Sequence, residues 1–208
     1  MSPSTTPRRR RADGERSHEA ILTAAAQLAT IEGLDGLSIG RLADHVGMSK
    51  SGLFAHFGSK EELQLATIDK AYEVFAADVI APALGRPDGL ARVEALCEGF
   101  LSHVEREVFA GGCFFAAAAA ELDTRPGAVR DRIAGIHRDW AQLVESSVEA
   151  AQRAGELDAA VDPDQLTFEL LAMLAQANGS WVLFRDPAVF GRARRGLAAR
   201  IEQAKPGA

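Results

Sequence analysis

The sequence predicts an all-α protein of about nine helices, and three observations support that fold class. Apolar residues recur at helical spacing along most of the 208-residue chain. The helical segments are separated by turn-forming pairs, among them Gly111-Gly112 and Asp162-Pro163. Neither an alternating apolar and polar pattern nor an Asn-Gly hairpin signal is present. We therefore expect helices joined by short turns, without a β-sheet.

The first three helices are predicted to form a compact N-terminal unit. The first is expected over residues 17–32, with Gly33 as its stop. The second begins after Ser38, a good N-cap, and ends at Gly47, where a positive φ is favoured. The third begins after Ser49, only two residues later. A turn this short forces the second and third helices to cross steeply, which is the helix-turn-helix arrangement that reads DNA in the major groove.

The third helix is predicted to be the recognition helix. Leu53 and Phe57 lie four residues apart and are expected to point inward. Lys50, Ser51, Gly52 and His56 are then left on the outer face. The predicted partner is a double-stranded DNA operator.

The run GMSKSGLFAHFGSKEEL resembles the recognition helix and the following helix start of the tetracycline-repressor (TetR) family of transcription regulators. The family pattern is roughly G-V-S-x-x-x-L-Y-x-H-F-x-S-K-E-x-L, and the resemblance covers about residues 17–66. There are two departures: Phe54 stands where the family usually has tyrosine, and Gly52 stands where a small side chain often contacts a base. We assign DNA contacts to Ser38, Arg41, Ser49, Lys50, Ser51, Gly52, Phe54, His56 and Lys60.

The net charge of −6 is distributed unevenly along the chain. Residues 1–60 hold eight basic and six acidic side chains, whereas the remainder holds fifteen basic and twenty-three acidic ones. A positive end on an acidic body orients a protein on a polyanion. The densest basic block, Arg8 to Arg11, lies in an arm over residues 1–16 that is predicted to be disordered when free. The arm either follows the DNA or is a solvated tail.

Six further helices are predicted after the recognition helix. The fourth opens at Ser59, with Glu62 as its capping-box partner, and runs to about Ile80, before Pro82. The chain then divides into the arm (1–16), a helix-turn-helix DNA-binding domain (17–62) and a helical ligand-binding and dimerisation domain (63–204). The remaining helices are expected over about 88–109, 113–122, 126–155, 164–184 and 187–203.

The last two helices are predicted to form a homodimer interface. The segment 166–184 is apolar on nearly all sides, and the final helix is amphipathic. Two such helices make half of a four-helix bundle that a two-fold copy completes, and the TetR resemblance implies dimerisation there. The alternative is that both helices pack only within one chain. The predicted interface residues are Leu170, Leu174, Ala177, Trp181, Phe190 and Leu197.

Aromatic and soft apolar side chains from five helices indicate either a ligand pocket or an ordinary core. The polar groups nearby that could orient a small-molecule effector are His103, His137, Gln176 and Asn178. The predicted pocket residues are Phe75, Phe100, Val104, Phe114, Phe115, Trp140, Val144, Phe168 and Met173.

No catalytic, metal-binding or cofactor-binding constellation is present in the sequence. The five histidines form no HExxH motif, and there is neither a G-x-S-x-G elbow nor a Gly-rich phosphate loop. Cys113 at a helix start is either a redox sensor or a small buried apolar residue. No apolar run approaches the roughly 20 residues that span a bilayer, and no signal peptide is present, so we expect a cytoplasmic protein.

These observations predict a homodimeric transcription regulator, a repressor that a small apolar or amphipathic ligand releases from a palindromic operator. Two alternatives stay open at this point. One is a DNA-binding regulator that needs no ligand, and the other is a small-molecule binding protein or enzyme.

Overall fold

The computed structural model describes residues 7–207, and this part of the chain is helical apart from short turns, with no strand. The all-α prediction is therefore confirmed. Two α-helices, Lys60–Phe75 and Ala81–Leu84, are joined without a break by a π-helical segment, so the described residues form nine helical rods. The helices are α1 (Pro7–Glu32), α2 (Ile39–Val46), α3 (Lys50–Phe57), α4 (Lys60–Phe75), the π-helical segment (Ala76–Ile80), α5 (Ala81–Leu84), α6 (Leu90–Glu105), α7 (Phe114–Leu122), α8 (Ala128–Arg153), α9 (Pro163–Phe184) and α10 (Ala188–Glu202).

Helix α1 begins at Pro7, ten residues before the start that the sequence predicted. Helix α1 thus includes residues 7–16 of the predicted basic arm, and residues 1–6 of the arm lie outside the described part. Proline is well tolerated in the first turn of a helix, and the arginine-rich segment behind it is made mostly of good helix formers.

The helix-turn-helix prediction is confirmed down to its caps. The Ser38 side chain accepts a hydrogen bond from the backbone N–H of Arg41, and Gly47 ends α2 with φ of 70°. Ser49 caps α3 in the same way, through the N–H of Gly52. The side chains that bury the two helices against α1 and α4 are Leu42, Ala43, Leu53 and Phe57. We call α1, α2, α3 and their connecting turns the DNA-reading unit.

The fourth rod continues past Pro82, where the sequence predicted a stop. A π-helical turn over Ala76–Ile80 precedes the proline, and the N–H of Ala81 reaches back five residues to the carbonyl of Ala76. Proline has no N–H to donate, and its ring would clash with the carbonyl four residues earlier in a regular helix. The widened turn lets the rod continue to Leu84.

Two helices connect the DNA-reading unit to the rest of the molecule. Both α4 and α7 pack against α1 on one side and against α8 on the other. Helix α9 packs against α6, α8 and α10. One cluster of buried apolar side chains continues from Ile21 in α1 to Ile201 in α10. Within residues 7–207, no helix has the combination of length and apolar character that crossing a membrane requires.

Candidate DNA-reading surface and aromatic cavity

The recognition helix α3 leaves polar and apolar side chains free on its outer face. Lys50, Ser51 and Phe54 are exposed, and Phe54 shows 55% of its surface to solvent. An aromatic ring that takes no part in the core is suited to contact with a thymine methyl group or another apolar part of the DNA groove. The sequence prediction placed these three residues on the DNA side, and their exposure is compatible with that role.

Other residues that are predicted to contact DNA form hydrogen bonds or ring contacts within the DNA-reading unit. The hydroxyl groups of Ser38 and Ser49 accept the hydrogen bonds that cap α2 and α3. Gly52 is half-buried, and its N–H is the donor to Ser49. His56 was expected on the outer face, but its ring is half-buried and lies 5.7 Å from the ring of His18 in α1. His56 is therefore less exposed than the sequence predicted, because the ring of His18 lies beside it.

Two cations that are predicted to contact DNA, Arg41 and Lys60, already have carboxylate partners. Arg41 lies 2.7 Å from Glu32. Lys60 donates to Asp35 at 2.8 Å, and Arg125 donates to the other oxygen of the same carboxylate at 2.5 Å. Hydrogen bonds from Lys60 and then from Arg125 hold the pKa of Asp35 below its usual value. These pairs are exposed, so exchange of Lys60 from Asp35 to a phosphate costs little.

A cavity of about 170 Å³ lies among α4, α6, α7, α8 and α9, and we call it the aromatic cavity. Four predicted pocket residues line it: Phe75, Phe100, Phe115 and Trp140. The ring of Phe75 meets the Trp140 ring edge-on at 5.3 Å, and Phe100 stacks with Trp140 at 6.4 Å. The rest of the wall consists of Cys113, Ala116, Ile136, His137, Leu171, Leu174 and Ala175.

Five predicted pocket residues do not line this cavity. Val104, Phe114 and Val144 are buried in the ordinary core and do not line the cavity. Phe168 is 68% exposed on the outside of α9. Met173 lines a separate outer groove between α9 and α10. Helical spacing identifies an apolar face but does not say whether a cavity, a packed core or solvent adjoins it.

Five of the six predicted dimer residues are buried inside the chain, and the interface itself stays a prediction. Trp181 is half-buried, and its ring lies 5.3 Å from that of Phe190. The exposed large side chains of α9 are instead Phe168, Leu183 and Phe184. Because α9 is apolar on both faces, its periodicity could not tell the core side from the outer side. The five predicted residues that are fully buried are Leu170, Leu174, Ala177, Phe190 and Leu197.

The polar groups near the cavity are held by specific partners. His103 is buried, and its Nδ1 lies 2.7 Å from Asp78 in the π-helical segment. Burial lowers the pKa of His103, although the hydrogen bond to Asp78 opposes this. Burial works to raise the pKa of Asp78, but hydrogen bonds from Arg106 and His103 outweigh it, and the pKa is lowered. A neutral His103 therefore faces an ionised Asp78.

The other three polar groups differ in their relation to the cavity. The Nε2 atom of His137 lies 3.2 Å from the carbonyl oxygen of Phe115 in the cavity wall. Asn178 accepts the backbone N–H of Cys113 at 2.7 Å, and Gln176 is exposed on α9. Burial raises the pKa of the Cys113 thiol, which disfavours the thiolate that a redox sensor needs.

A hydrogen-bonded junction between α7 and the DNA-reading unit was not found from the sequence. The carboxylate of Glu121 accepts the backbone N–H of Leu34 at 2.7 Å and that of Asp35 at 2.9 Å. The side chain of Gln64 in α4 donates to the carbonyl of Leu34 at 2.9 Å. Glu121 is 87 residues away from Leu34, and no local pattern links the two.

A second junction joins the turn before α7 to α1. The Gln27 side chain donates to the carbonyl of Val108, and Thr30 accepts the N–H of Gly111. A Cβ atom on Gly111 would lie 2.0 Å from the carbonyl oxygen of Thr30, so only glycine fits this approach. The pair Gly111-Gly112 was interpreted from the sequence as a helix breaker, and its packing role was missed.

Two family models match this arrangement of a DNA-reading unit and a helical body. Residues 21–67 match the model described as bacterial regulatory proteins, tetR family. Residues 89–197, more than half of the chain, match the model described as tetracyclin repressor-like, C-terminal domain. The chain belongs to the TetR family. It is accordingly a TetR-family transcriptional regulator.

Similar proteins agree with this assignment. The TetR-family chain is 25% identical over 156 residues to the transcriptional regulator AcuR of Cereibacter sphaeroides, which is 74% of this chain and 71% of AcuR. A TetR transcriptional regulator from Chloroflexus aurantiacus is 27% identical, with a TM-score of 0.82 over 92% of this chain and 97% of the other. AibR, solved in complex with isovaleryl coenzyme A and operator DNA, is 23% identical and shares the fold, with a TM-score of 0.70 over 91% and 98% of the two chains.

Proposed function

We propose that this TetR-family regulator binds a palindromic operator as a homodimeric repressor, and that a small apolar ligand in the aromatic cavity releases it. The observation that carries the proposal is that α4 and α7 each contribute to the cavity wall and also pack against the DNA-reading unit. A ligand that changes the position of either helix therefore acts on the recognition helix. AibR, which shares the fold, was solved with both a small molecule and operator DNA.

An exposed apolar face on α9 supports the homodimer. Successive helical turns place Phe168, Ala172, Ala175, Gly179 and Leu183 on one side of the helix, and all five are exposed. Large contiguous apolar patches on a protein surface are typical of interaction sites. The small residues among them let a second α9 approach closely. A two-fold copy would cover this face and complete a four-helix bundle with α10.

The lining of the aromatic cavity defines the chemistry of the proposed ligand. No Lys, Arg, Asp or Glu side chain lines it, so an ion would lose its hydration there without a partner. Its volume of about 170 Å³ suits a compact molecule, since an apolar cavity of roughly 150 Å³ holds benzene. His137 supplies one polar contact at the wall. We therefore propose an uncharged, compact, largely apolar or aromatic effector.

Release from DNA follows from linkage between the two sites. In a dimer, the two recognition helices must enter successive major grooves about 34–36 Å apart. A ligand that binds more tightly to a conformation with another helix spacing shifts the population away from the DNA-binding state. The proposed ligand is therefore an inducer, and the unliganded protein represses.

Selection of DNA by the purified full-length protein tests the proposal. Genomic fragments that the protein retains are sequenced, and one enriched fragment is used for sedimentation and affinity measurements. We expect a palindromic sequence that binds two chains, and weaker binding in the presence of toluene or indole, two probes that match the cavity. A reporter placed behind the fragment should be repressed. Retention of no specific sequence, or binding of a single chain to an asymmetric site, would overturn the proposal.

A further inference from the structure

We propose that Glu121 is the positioning residue through which α7 couples the aromatic cavity to the DNA-reading unit. This inference rests on the proposed function, because it concerns how occupancy of the cavity changes operator binding. The effect of a ligand on the DNA-reading unit would pass through the carboxylate of Glu121 and the two backbone N–H groups that it binds. One end of α7 lies at the cavity, and the other end lies at the α1–α2 loop (residues 33–38).

The N-terminal end of α7 belongs to the cavity. Phe115 and Ala116 form part of its wall. Just before the helix, the backbone N–H of Cys113 is bound by the side chain of Asn178 in α9 at 2.7 Å. A ligand that pushes on Phe115 or Ala116 therefore meets a helix that is anchored to α9 at this end.

The C-terminal end of α7 belongs to the DNA-reading unit. Glu121 lies five residues after Ala116, about 7.5 Å along the helix axis. Both of its carboxylate oxygens accept backbone N–H groups, those of Leu34 and Asp35. Gly33 permits this approach, because it has φ of +85° and a Cβ there would lie 2.7 Å from Glu121. The two hydrogen bonds involve an ionised acceptor, which makes them stronger than neutral ones.

The α1–α2 loop in turn sets the start of α2. It ends at Ser38, the N-cap of α2, and Leu34 within it is buried. The carbonyl of Leu34 is bound by Gln64 of α4, and the carboxylate of Asp35 is bound by Lys60 and Arg125. A shift of α7 thus reaches the loop from which the helix-turn-helix begins.

The substitution Glu121→Gln separates this role from a simple charge effect. Removing a negative charge beside the DNA-reading unit should by itself strengthen binding to a polyanion. Loss of the two charge-assisted hydrogen bonds should instead weaken operator affinity by about tenfold. The operator is the fragment that the wild-type protein selects. Glu156→Gln is the matched control, because Glu156 accepts the N–H of Leu90 at 2.8 Å at the start of α6; its operator affinity should stay within about twofold.

A double-mutant cycle tests the coupling to the cavity. Ala116→Leu places a larger side chain in the cavity and so imitates an occupied cavity. Ala120→Leu is the control, because it adds the same atoms at an exposed position of the same helix. We expect Ala116→Leu to weaken operator binding at least about fivefold in the wild-type background and less than about twofold alongside Glu121→Gln, because contacts in one network are not additive. Ala120→Leu should have little effect in either background.

Amide hydrogen exchange gives a readout that a general loss of stability would not produce. Glu121→Gln should speed exchange at Leu34 and Asp35 while the thermal unfolding midpoint stays close to that of Glu156→Gln. If Glu121→Gln unfolds, Glu121→Asp keeps the charge but cannot reach both N–H groups, and it should weaken operator binding similarly. Unchanged or tighter operator binding by a folded Glu121 variant, or additive effects in the cycle, would overturn this inference. Failure of the wild-type protein to select DNA would instead overturn the proposed function.

Discussion

Two residues that are predicted to contact DNA also form ion pairs within the chain. Lys60 binds Asp35, which it shares with Arg125, and Arg41 binds Glu32. Lys50 is exposed, and none of the ion pairs among the described side chains includes it, so it is available to DNA. Two of the basic side chains counted in the charge distribution, Arg41 and Lys60, are thus partly neutralised by carboxylates of the same chain.

Lys60→Ala should weaken binding to all DNA sequences to a similar degree. The slope of log affinity against log salt should become flatter by about 0.9, the effect of one phosphate contact. Lys205→Ala is the control, because Lys205 is paired with Glu202 at the opposite end of the chain. Salt titrations of the two variants decide the matter. An unchanged slope for Lys60→Ala would show that Lys60 serves only Asp35.

Gly111→Ala should destabilise the junction between the turn before α7 and α1. The new Cβ would lie 2.0 Å from the Thr30 carbonyl oxygen, so one backbone segment must move. We expect a loss of about 1–3 kcal/mol in the free energy of unfolding, as for overpacked sites. Gly135→Ala is the matched control within α8, where nothing lies near the added atom, and it should stabilise by up to about 1 kcal/mol. Denaturant unfolding of both variants should therefore give opposite signs.

Stability should fall as the pH decreases from about 6.5 towards the lower pKa of folded His103. Burial lowers the pKa of this histidine in the folded state, whereas the unfolded chain takes up the proton near the ordinary value of about 6.5. The contribution is therefore fully present above pH 6.5 and is lost as the pH falls towards the folded pKa, at no more than about 1.4 kcal/mol per pH unit. Unfolding of His103→Gln should depend less on pH in this range. His45→Gln, at an exposed histidine, is the control, and equal slopes for the two variants would contradict the argument.

At the scale of helices, α9 shows where sequence patterns lose information. Its boundaries were predicted to within one residue, because Asp162 and Pro163 mark its start. Its inward face was not predicted, since Phe168 and Leu170 lie on opposite sides of a helix that is apolar on both. The fourth rod shows a different limit of sequence patterns. Pro82 correctly indicates a departure from regular α-helix, but the helix does not end there, because the π-helical turn accommodates the proline.

Leu183→Glu should convert the proposed dimer to monomers without unfolding the chain. Leu183 is 73% exposed, so the charge is solvated in the monomer but would be desolvated in an interface between two copies of α9. Leu170→Glu is the contrasting variant, because Leu170 is fully buried and a charge there should destabilise the fold itself. Sedimentation and thermal unfolding of the two variants distinguish these effects. A dimer of unchanged stability for Leu183→Glu would exclude this face of α9 as the interface.

At the scale of the whole molecule, local features were predictable and junctions were not. The caps at Ser38, Ser49 and Ser59 were identified because each depends on residues within one turn. The contact of Glu121 with Leu34 depends on the packing of α7 against α1, which no short-range pattern encodes. The cavity was intermediate: Phe75 and Trp140 were predicted, and Ile136 could have been added because it lies one turn before Trp140. The cavity residues on α9 could not be predicted, because the sequence does not show which face of that helix points inward.

Trp140→Ala should change the response to a cavity ligand more than it changes DNA binding. Trp140 is half-buried and faces both Phe75 and Phe100 across the cavity wall. We expect operator affinity without ligand to stay within about tenfold, roughly 1.4 kcal/mol, while the effect of toluene or indole changes. Operator affinity with and without the probe and the unfolding midpoint are measured on one variant. A stability loss of about 3–5 kcal/mol with parallel loss of DNA binding would instead identify Trp140 as plain core.

Ala175 lies at the boundary of two surfaces, since it lines the aromatic cavity and is also exposed on the outer face of α9. A larger side chain at this position would reduce the space for an effector and also alter the shape offered to a second copy of the chain. Under the proposed function, effector preference and self-association therefore could not diverge independently along this helix. Descendants of this protein that acquire a bulkier effector should carry compensating substitutions on the outer face of α9.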